Sequence, residues 1–592
     1  MKRLVLAALA VALMAASPLT TRLMAQPADS LAATGAKPLV VVSFSGYAEL
    51  QKDANYIGQL VEQPQLAQML DGAIMMGTGG RGLAGVDPNR PWGVVMQADG
   101  QAFPTVGFLP VNNIDELVGL LESLDLKVTD KGDGRYEVVT PAQPLAMRFQ
   151  DGWAYVADSA DRLEQLPNNP LQRLGSLPKK YDIAVLVHVV NLPEQIRGQA
   201  MGALTMGAAG AAQRQPGESD EEYAMRKMAT ENAIKQFGKM LDELDKILIG
   251  INIDQQQQAA LVDVAVSAQP NTSLAQQFAG MKDVKTDFHG FADNEAAVWA
   301  NWAGTMSDDD AAQAKAYLTQ FQTSAEETLA KQDLSEEDLA KAKEMLGKLF
   351  DVINENVDAK HSDGGMAVYA GEDRLTLTAG GYLVDGPKLE NLVKEFVEQL
   401  ATEKPEIRTL VKLDTDKHAG VNFHALSVPA EAFDDASEQI KQLMGSPVEA
   451  IVGIGPNSIY LSVGKDARST LRKVIDASQA AKGTSISPAK VVVKLTPILK
   501  AVAGAAQQAE VSQATDMVLA AVNKAPGRDK LLVESRPIPN GSMTRITIEE
   551  GILRAIGAGV KQAMQNSAAG PGMRPGVVPP QGEHGGFDGG GF

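Results

Sequence analysis

The strongest constraint on the fold of this chain is a series of short apolar segments and helix starts that occurs twice in the same order. Apolar strands resemble one another, so the shared order carries the argument rather than any single match. The matched segments are residues 93–96 with 365–368, 105–109 with 378–383, 115–118 with 390–393, 152–157 with 457–462, 184–187 with 491–494, and 247–266 with 531–548. This order predicts two related lobes, residues 37–283 and 284–563, and the alternative is two unrelated α+β domains.

Local patterns predict the same kinds of element in both lobes. Runs of β-branched and aromatic residues between turn residues predict short strands, including 39–44, 288–291 and a run at 183–190 that could be buried on both faces. Helical spacing predicts inserted helical pairs over 193–247 and 308–356. The predicted fold class is α+β, in which each lobe is a mainly antiparallel sheet with helices on one face and an inserted helical hairpin.

The start of the chain has the pattern of a cleavable secretory signal peptide. Two cations precede an apolar run over residues 4–16, which is shorter than the roughly 20 residues that a membrane-spanning helix needs. We predict cleavage between Ala25 and Gln26, which removes residues 1–25 and leaves residues 26–36 as a linker. The sequence therefore predicts a protein that is exported, periplasmic or secreted, and that has no transmembrane segment after signal removal.

The composition argues against several kinds of chemistry and partner. The chain has no cysteine, which excludes disulfides, thiol nucleophiles, cysteine-bound zinc and lipid attachment at a cysteine. Its formal charge of −19 repels nucleic acid, so we expect no nucleic-acid partner. Residues 564–592 are rich in glycine and proline, which predicts a disordered tail.

Several polar loops could suggest a site, but each has a simpler explanation. The glycine-rich loop 77–82 lacks the lysine of a phosphate-binding loop and follows a helical segment, which is typical of a turn at a helix end. Asp308 and its acidic neighbours begin a helix, where acids favour the helix dipole. Asp130 and Asp133 fit a hairpin turn, and Ser446 lies in a turn rather than in a hydrolase motif. We therefore assign no catalytic, cofactor-binding or metal-binding residue.

Histidine and methionine residues supply two further hypotheses. His418 and His424 share a face if one strand holds both, and with His289 they could bind zinc, although their spacing matches no known metal pattern. His188 lies in the apolar run and is interpreted as a core histidine. The methionine-rich segment 201–240 could bind an apolar ligand, but packing of a helical hairpin on the sheet explains its methionines as well.

A family resemblance lies in the first quarter of the chain. Residues 91–95 lead to residues 108–111, and Gly152-Trp153-Ala154-Tyr155 follows. Together with the signal peptide, these segments resemble uncharacterised exported bacterial proteins of a domain-of-unknown-function family. The resemblance implies an exported, duplicated α+β protein, and it carries no active site to transfer.

Three functions follow as hypotheses from the sequence. The first is a non-catalytic envelope protein that acts as a binding or scaffold module for an unknown protein partner, because no catalytic motif is present and long polar helices are predicted. The second is a periplasmic carrier of an apolar ligand. The third is a hydrolase of unrecognised type, which would need a cleft with convergent histidine and carboxylate groups.

Overall fold

The computed structural model describes residues 37–568, except residues 100, 101, 165, 168, 212, 216, 332–334, 433–436 and 507–508. The predicted signal peptide, its cleavage site between Ala25 and Gln26, the linker at 26–36 and the tail beyond residue 568 lie outside the described residues. Within the described part, the chain is an α+β protein with antiparallel pairing, as the sequence predicts, but its strands form one large sheet rather than a separate sheet in each lobe.

The strands alternate with helices along the whole described chain. They are β1 (Lys37–Phe44), β2 (Trp92–Ala98), β3 (Thr105–Pro110), β4 (Lys127–Gly132), β5 (Arg135–Val139), β6 (Pro144–Gln150), β7 (Trp153–Ala157), β8 (Ile183–Val187), β9 (Leu244–Asp254), β10 (Ala259–Ala268), β11 (Lys285–Thr286), β12 (Val298–Thr305), β13 (His361–Gly371), β14 (Arg374–Tyr382), β15 (Val411–His418), β16 (Val421–Val428), β17 (Val448–Gly455), β18 (Ser458–Gly464), β19 (Thr484–Ser485), β20 (Ala489–Lys494), β21 (Lys530–Ile538) and β22 (Gly541–Glu549).

The helices are α1 (Tyr47–Leu60), α2 (Leu66–Gly77), α3 (Ile114–Ser123), α4 (Leu171–Leu174), α5 (Leu177–Lys180), α6 (Glu194–Ala211), α7 (Asp220–Glu243), α8 (Ser273–Ala279), α9 (Asp308–Ala330), α10 (Glu336–Asp358), α11 (Gly386–Glu403), α12 (Ile407–Leu410), α13 (Ser437–Met444), α14 (Ala467–Ala480), α15 (Leu495–Ala505), α16 (Ala509–Val522) and α17 (Glu550–Ala568). Short 3₁₀ turns lie at Asp161–Leu163, Val189–Asn191 and His289–Phe291.

The large sheet has 20 strands, all paired antiparallel, while β11 and β19 form a separate pair. The pair β10–β22 is the seam between its two ends. Outward from the seam on one side the order is β10-β9-β8-β1-β2-β3-β7-β6-β5-β4. On the other side the order is β22-β21-β20-β12-β13-β14-β18-β17-β16-β15. Strands at the same distance from the seam also have the same rank in chain order within their side.

Pairs of helices are inserted at matching places on both sides of the seam. The pair α1–α2 joins β1 to β2, and α9–α10 joins β12 to β13; likewise α6–α7 joins β8 to β9, and α15–α16 joins β20 to β21. The strand register places the pairs α6–α7 and α9–α10 beyond the same end of the strands, where the side-chain amides of Gln236 and Gln313 are joined by a 2.8 Å hydrogen bond. At the opposite end of the strands, Glu62, which follows α1, forms ion pairs with Lys524 and Lys561.

Helices cover both faces of the outer parts of the sheet, so the prediction that they lie on one face is wrong. Neighbouring residues of a strand point to opposite faces. On β7, Trp153 packs in a cluster with Leu174 and Leu177 of the short helices, whereas Ala154 packs with Leu120 of α3. Helices are needed on both faces because the outer strands present apolar side chains on each face of the sheet.

Three local predictions are corrected by the structure. Residues 288–291 contain the 3₁₀ turn His289–Phe291 rather than a strand. The run at 183–190 is a strand only to Val187, and Ala184 is its one buried strand residue while the others are half-buried, so the strand is not buried on both faces. His418 ends β15, and His424 lies on the adjacent strand β16, because the hairpin turn falls between them.

Candidate functional site

One side of the sheet carries long rows of apolar side chains that cross the strands. Residues directly opposite one another in antiparallel strands place their side chains on the same side. The first row is Val42, Val185, Ile249, Val264, Thr544, Ser535, Ala489, Trp302, Gly364, Gly381, Ile459 and Ile454. The adjacent row is Phe44, Ile183, Ile251, Val262, Ile546, Val533, Val491, Ala300, Met366, Ala379, Leu461, Val452 and His424. We call this side the apolar face.

The middle of the apolar face is open to solvent. Five of its large apolar side chains, spread over β9, β12, β14 and β18, are between 37% and 45% exposed: Ile249, Ile251, Trp302, Leu377 and Leu461. Single exposed apolar residues are normal on a protein surface, but a connected set marks an interaction site. These five residues are connected through the rows of half-buried aliphatic side chains between them.

The opposite side of the same strands has the reverse character. A row of charged residues crosses the seam there, formed by Asp263, Arg545, Glu534 and Lys490. Asp263 is 1% exposed and Glu534 is 8% exposed, so these carboxylates are better shielded from water than the isoleucines of the apolar face. A sheet that faces water on one side usually buries its apolar side and exposes its polar side. The reversal indicates that the apolar face is built to meet something other than water.

The buried carboxylate of Asp263 is compensated by directed hydrogen bonds. Arg545 donates from Nε and from its terminal nitrogen to the two carboxylate oxygens, each at 2.7 Å, and Tyr181 donates its hydroxyl at 3.0 Å. Burial alone would raise the pKa of Asp263, but the hydrogen bonds from Arg545 and Tyr181 outweigh burial and hold that pKa below its usual range. Because Asp263 lies on β10 and Arg545 on β22, this pair fastens the seam.

Helices cover the apolar face at its two ends. At one end, α3 places Leu117 and Leu120 against Met147 of β6. At the other end, Val352 of α10 and Leu389 of α11 pack on Ile454 of β17. The register connects Met147 to Val42 and so to the first row, so both helical covers lie on the same side as the exposed residues.

A groove continues the apolar surface at the second end. It lies between α10 and α11 and has a volume of about 490 Å³. Its walls are apolar residues at steps of three and four on both helices, such as Met345 and Leu349 on α10 and Val393 and Phe396 on α11. Phe396 is 49% exposed, so the groove is open. Leu389 contacts both this groove and the cluster around Ile454, which joins the groove to the apolar face.

A cluster of charged residues lies beside α11, and we call Glu390, Lys394, Asp414, Asn422 and His424 the ion-pair cluster. Within the described residues, Glu390, Asp414 and His424 form the one group of three whose ligand atoms are close enough to hold a metal ion, all within 4.8 Å of one another. The ammonium of Lys394, however, lies 2.7 Å from Glu390 and 2.8 Å from Asp414. It supplies the positive charge that a metal ion would bring and holds the pKa of Asp414 below its usual range.

The histidine of the ion-pair cluster is not oriented as a metal ligand. Its Nδ1 atom accepts the backbone N–H of Asp414 at 3.2 Å, so in the neutral ring the proton lies on Nε2. Nε2 faces Glu390 at 3.6 Å, where a bound metal would need a free lone pair. Burial lowers the pKa of His424, which keeps the ring neutral. The cluster is therefore best explained as the contact that fixes α11 on β15 and β16.

The structure does not bring together the three histidines considered as a zinc site. His418 pairs with Asp476 at 2.7 Å, while His424 belongs to the ion-pair cluster. His289 lies in its 3₁₀ turn, and its Nδ1 atom is buried without a hydrogen-bond partner. His188 follows the last residue of β8. The one group of possible metal ligands among the described residues includes neither His289 nor His418.

The remaining loops have the structural roles that the sequence suggests. The loop at 77–82 follows the end of α2, and Gly79, Gly80 and Gly82 have positive φ. Asp130 accepts the N–H of Gly132 in a hairpin turn. The side chain of Ser307 caps the helix that begins at Asp308. Ser446 lies between α13 and β17.

The methionine-rich helices do not form the apolar surface that the sequence points to. Met206 on α6 is 73% exposed and Met240 on α7 is 40% exposed, so neither is buried against the sheet. The side chain of Met225 lies outside the described residues. The signal for the apolar face was present in the sequence as alternating aliphatic residues in the central strands, but which face stays open depends on where the helices pack.

Comparison of the chain with protein-family models, with curated proteins and with solved structures found no match. Among the described residues, no helix has both the length and the apolar character needed to cross a membrane.

Proposed function

We propose that this chain is an exported, non-catalytic binding module of the cell envelope that carries an apolar ligand on the apolar face of its sheet. The observation that carries the proposal is the reversed burial of the central strands. Half-exposed Ile249 and Ile251 lie on one side of β9, and fully buried Asp263 lies on the other side of β10. Covering the exposed aliphatic surface would contribute about 25 cal/mol for each Å² removed from water.

The proposal includes two related lobes, residues 37–283 and 284–563, which arose by duplication. Its support is the equal order of strands outward from the seam and the helical pairs inserted at matching positions. The seam strands β10 and β22 are each other's counterparts in this scheme. A duplicated sheet joined edge to edge gives a wide binding face that neither lobe has alone.

Export is proposed from the sequence pattern at residues 1–25, as is the resemblance to exported proteins of a domain-of-unknown-function family. An oxidising compartment is compatible with a chain that lacks cysteine, because its stability then rests on its core. A periplasmic or secreted carrier fits the acidic surface, since like charge keeps copies of the protein apart.

A scaffold for a protein partner is the second candidate. The helices α6 and α9 at one edge of the sheet expose Met206 and Phe321, which are 73% and 62% exposed. Large apolar side chains on projecting helices suit a protein contact. No observation on the described residues favours the hydrolase hypothesis.

Native mass spectrometry of the protein purified from its own envelope fraction tests the carrier function. We expect a bound apolar molecule in the wild type, its loss in Ile251→Asp, and its retention in Val139→Asp. Val139 is a matched control, because it is 38% exposed against 39% for Ile251 and lies on the opposite side of the sheet. A bare wild-type chain, or one with a stoichiometric protein partner, would favour the scaffold instead.

A further inference from the structure

We infer that the ligand is a lipid with a long acyl chain, and that the chain lies across the central strands between the row of Ile249 and the row of Ile251. This inference rests on the proposed carrier function and names the chemical class of its ligand. It follows from the chemistry, the backbone pairing and the spacing of the apolar face.

The chemistry of the face suits a hydrocarbon. From β9 to β12, the first two rows consist of aliphatic residues, one tryptophan and two hydroxyl residues, Thr544 and Ser535. Those two hydroxyls are hydrogen-bonded to each other at 3.1 Å. A ligand on this stretch therefore meets side chains that favour groups without donors or acceptors, and a polar ligand would lose its hydrogen bonds to water there.

The backbone pairing argues against an extended peptide, and the row spacing suits a hydrocarbon chain. In the spatial order of the sheet, every strand from β9 across the seam to β18 is paired with a neighbour on both sides. A peptide therefore cannot pair with these strands as an additional edge strand. Rows on one face are two residues apart, or about 6.7 Å at a strand rise of about 3.3–3.4 Å per residue. One hydrocarbon chain fits between two such rows.

The exposed stretch is also long enough to hold one acyl chain. Ile249 on β9 and Trp302 on β12 are separated by five strand spacings, or roughly 24 Å at about 4.8 Å each. A membrane hydrocarbon core is about 30 Å thick, so one acyl chain spans roughly half of that.

The formal charge of −19 opposes docking on an anionic bilayer, which favours a single bound lipid.

Trp302 provides a built-in reporter at the end of this stretch. Its indole lies against Gly364 on β13, where a Cβ atom would come within 2.8 Å of the ring. The residue is 37% exposed, so a chain along the first row would contact the indole. Bromine on an acyl chain quenches tryptophan fluorescence by contact, which makes the position of the chain measurable.

The test is fluorescence of the full chain, freed of its own ligand, titrated with dibromostearate and with stearate as the unbrominated control. We expect saturable quenching by dibromostearate alone, reduced at least twofold in Trp302→Phe and preserved in Trp153→Phe, whose indole is buried on the other side. Native mass spectra of each variant must show that stearate still binds.

The outcomes separate the two proposals. Stearate binding without quenching of Trp302 would overturn the assigned position. Failure of stearate to bind, with an apolar molecule that has no acyl chain co-purifying, would overturn the acyl class and leave the carrier function intact. If the protein instead sediments with neutral phosphatidylcholine vesicles and binds no monomeric fatty acid, it docks on membranes and the inference is wrong. The absence of any apolar ligand would remove both proposals.

Discussion

Removing Arg545 should destabilise the protein strongly, because it leaves Asp263 buried without its cation. Asp263 is 1% exposed and receives two hydrogen bonds of 2.7 Å from Arg545, while the hydroxyl of Tyr181 is its one other side-chain donor described. Breaking a buried ion pair from one side costs about 3–5 kcal/mol. Since Arg545 is itself 31% exposed, we expect Arg545→Met to cost about 3 kcal/mol, the low end of that range.

Urea titration followed by circular dichroism measures this loss, and two variants control it. Lys490→Met removes a cation from the same charged row, but its partner Glu534 keeps Arg536 and Ser487, so we expect a cost of about 0–1 kcal/mol. The double variant Asp263→Leu with Arg545→Met should recover most of the stability, because no buried charge is left unpaired.

The penalty should also depend on pH with a defined sign. The depressed pKa of Asp263 contributes stability above the pKa of the unfolded carboxyl, and that contribution is lost as pH falls through the folded pKa. The difference between wild type and Arg545→Met should therefore narrow on acidification. An Arg545→Met variant within about 1 kcal/mol of wild type at neutral pH would refute the assigned role of the pair.

Three further predictions concern other buried groups. Burial raises the pKa of Asp53 to about 6, so the stability that its protonated form contributes is present in acid and lost as pH rises through that value. Asp53→Asn should therefore add about 1–3 kcal/mol to the free energy of unfolding at pH ~8 and nothing at pH ~4. An equal gain at both pH values would contradict the reasoning. A Cβ atom at Gly250 would lie 2.5 Å from the ring of Tyr181. Thermal and urea unfolding should therefore show that Gly250→Ala lowers the free energy of unfolding by about 1–3 kcal/mol, against less than about 1 kcal/mol for the control Gly304→Ala, where nothing lies within 4 Å. Equal costs in the two variants would count against the packing of Gly250 on Tyr181. His424 should titrate below the value of about 6.5 of a free histidine in NMR spectra of histidine-labelled protein, because burial disfavours its charged form, and a higher midpoint would disprove this.

The sequence predicts the inner strands of the first half of the chain well because their side chains alternate or form continuous apolar runs, but in the second half it misses β12, β16 and β17. It misses β4 and β15, which have the polar sequences Lys127–Gly132 and Val411–His418 and form the two outer edges of the large sheet. Edge strands often carry charges that prevent pairing with other chains, and those charges remove the apolar alternation on which prediction depends. These two edge strands occupy equal positions outward from the seam.

The candidate site could not be predicted for a different reason. Strand β8 is apolar on both faces and β9 alternates isoleucines with mostly polar residues, and neither sequence says which face a helix will cover. The answer depends on contacts between residues far apart in the chain, such as Leu389 with Ile454 at one end of the sheet. The ion-pair cluster is equally non-local, since it joins Lys394 of α11 to Asp414 of β15.

The central claim is that the apolar face binds an apolar ligand, and photocrosslinking with a diazirine-bearing fatty acid tests it most directly. Mass spectrometry of the digested adduct should place the label on β9, β12 or β18, at or beside Ile249, Ile251, Trp302 or Leu461. Unlabelled stearate in excess should suppress the labelling. Labels confined to the exposed methionine helices α6 and α7, or to the charged side of the sheet, would contradict the claim.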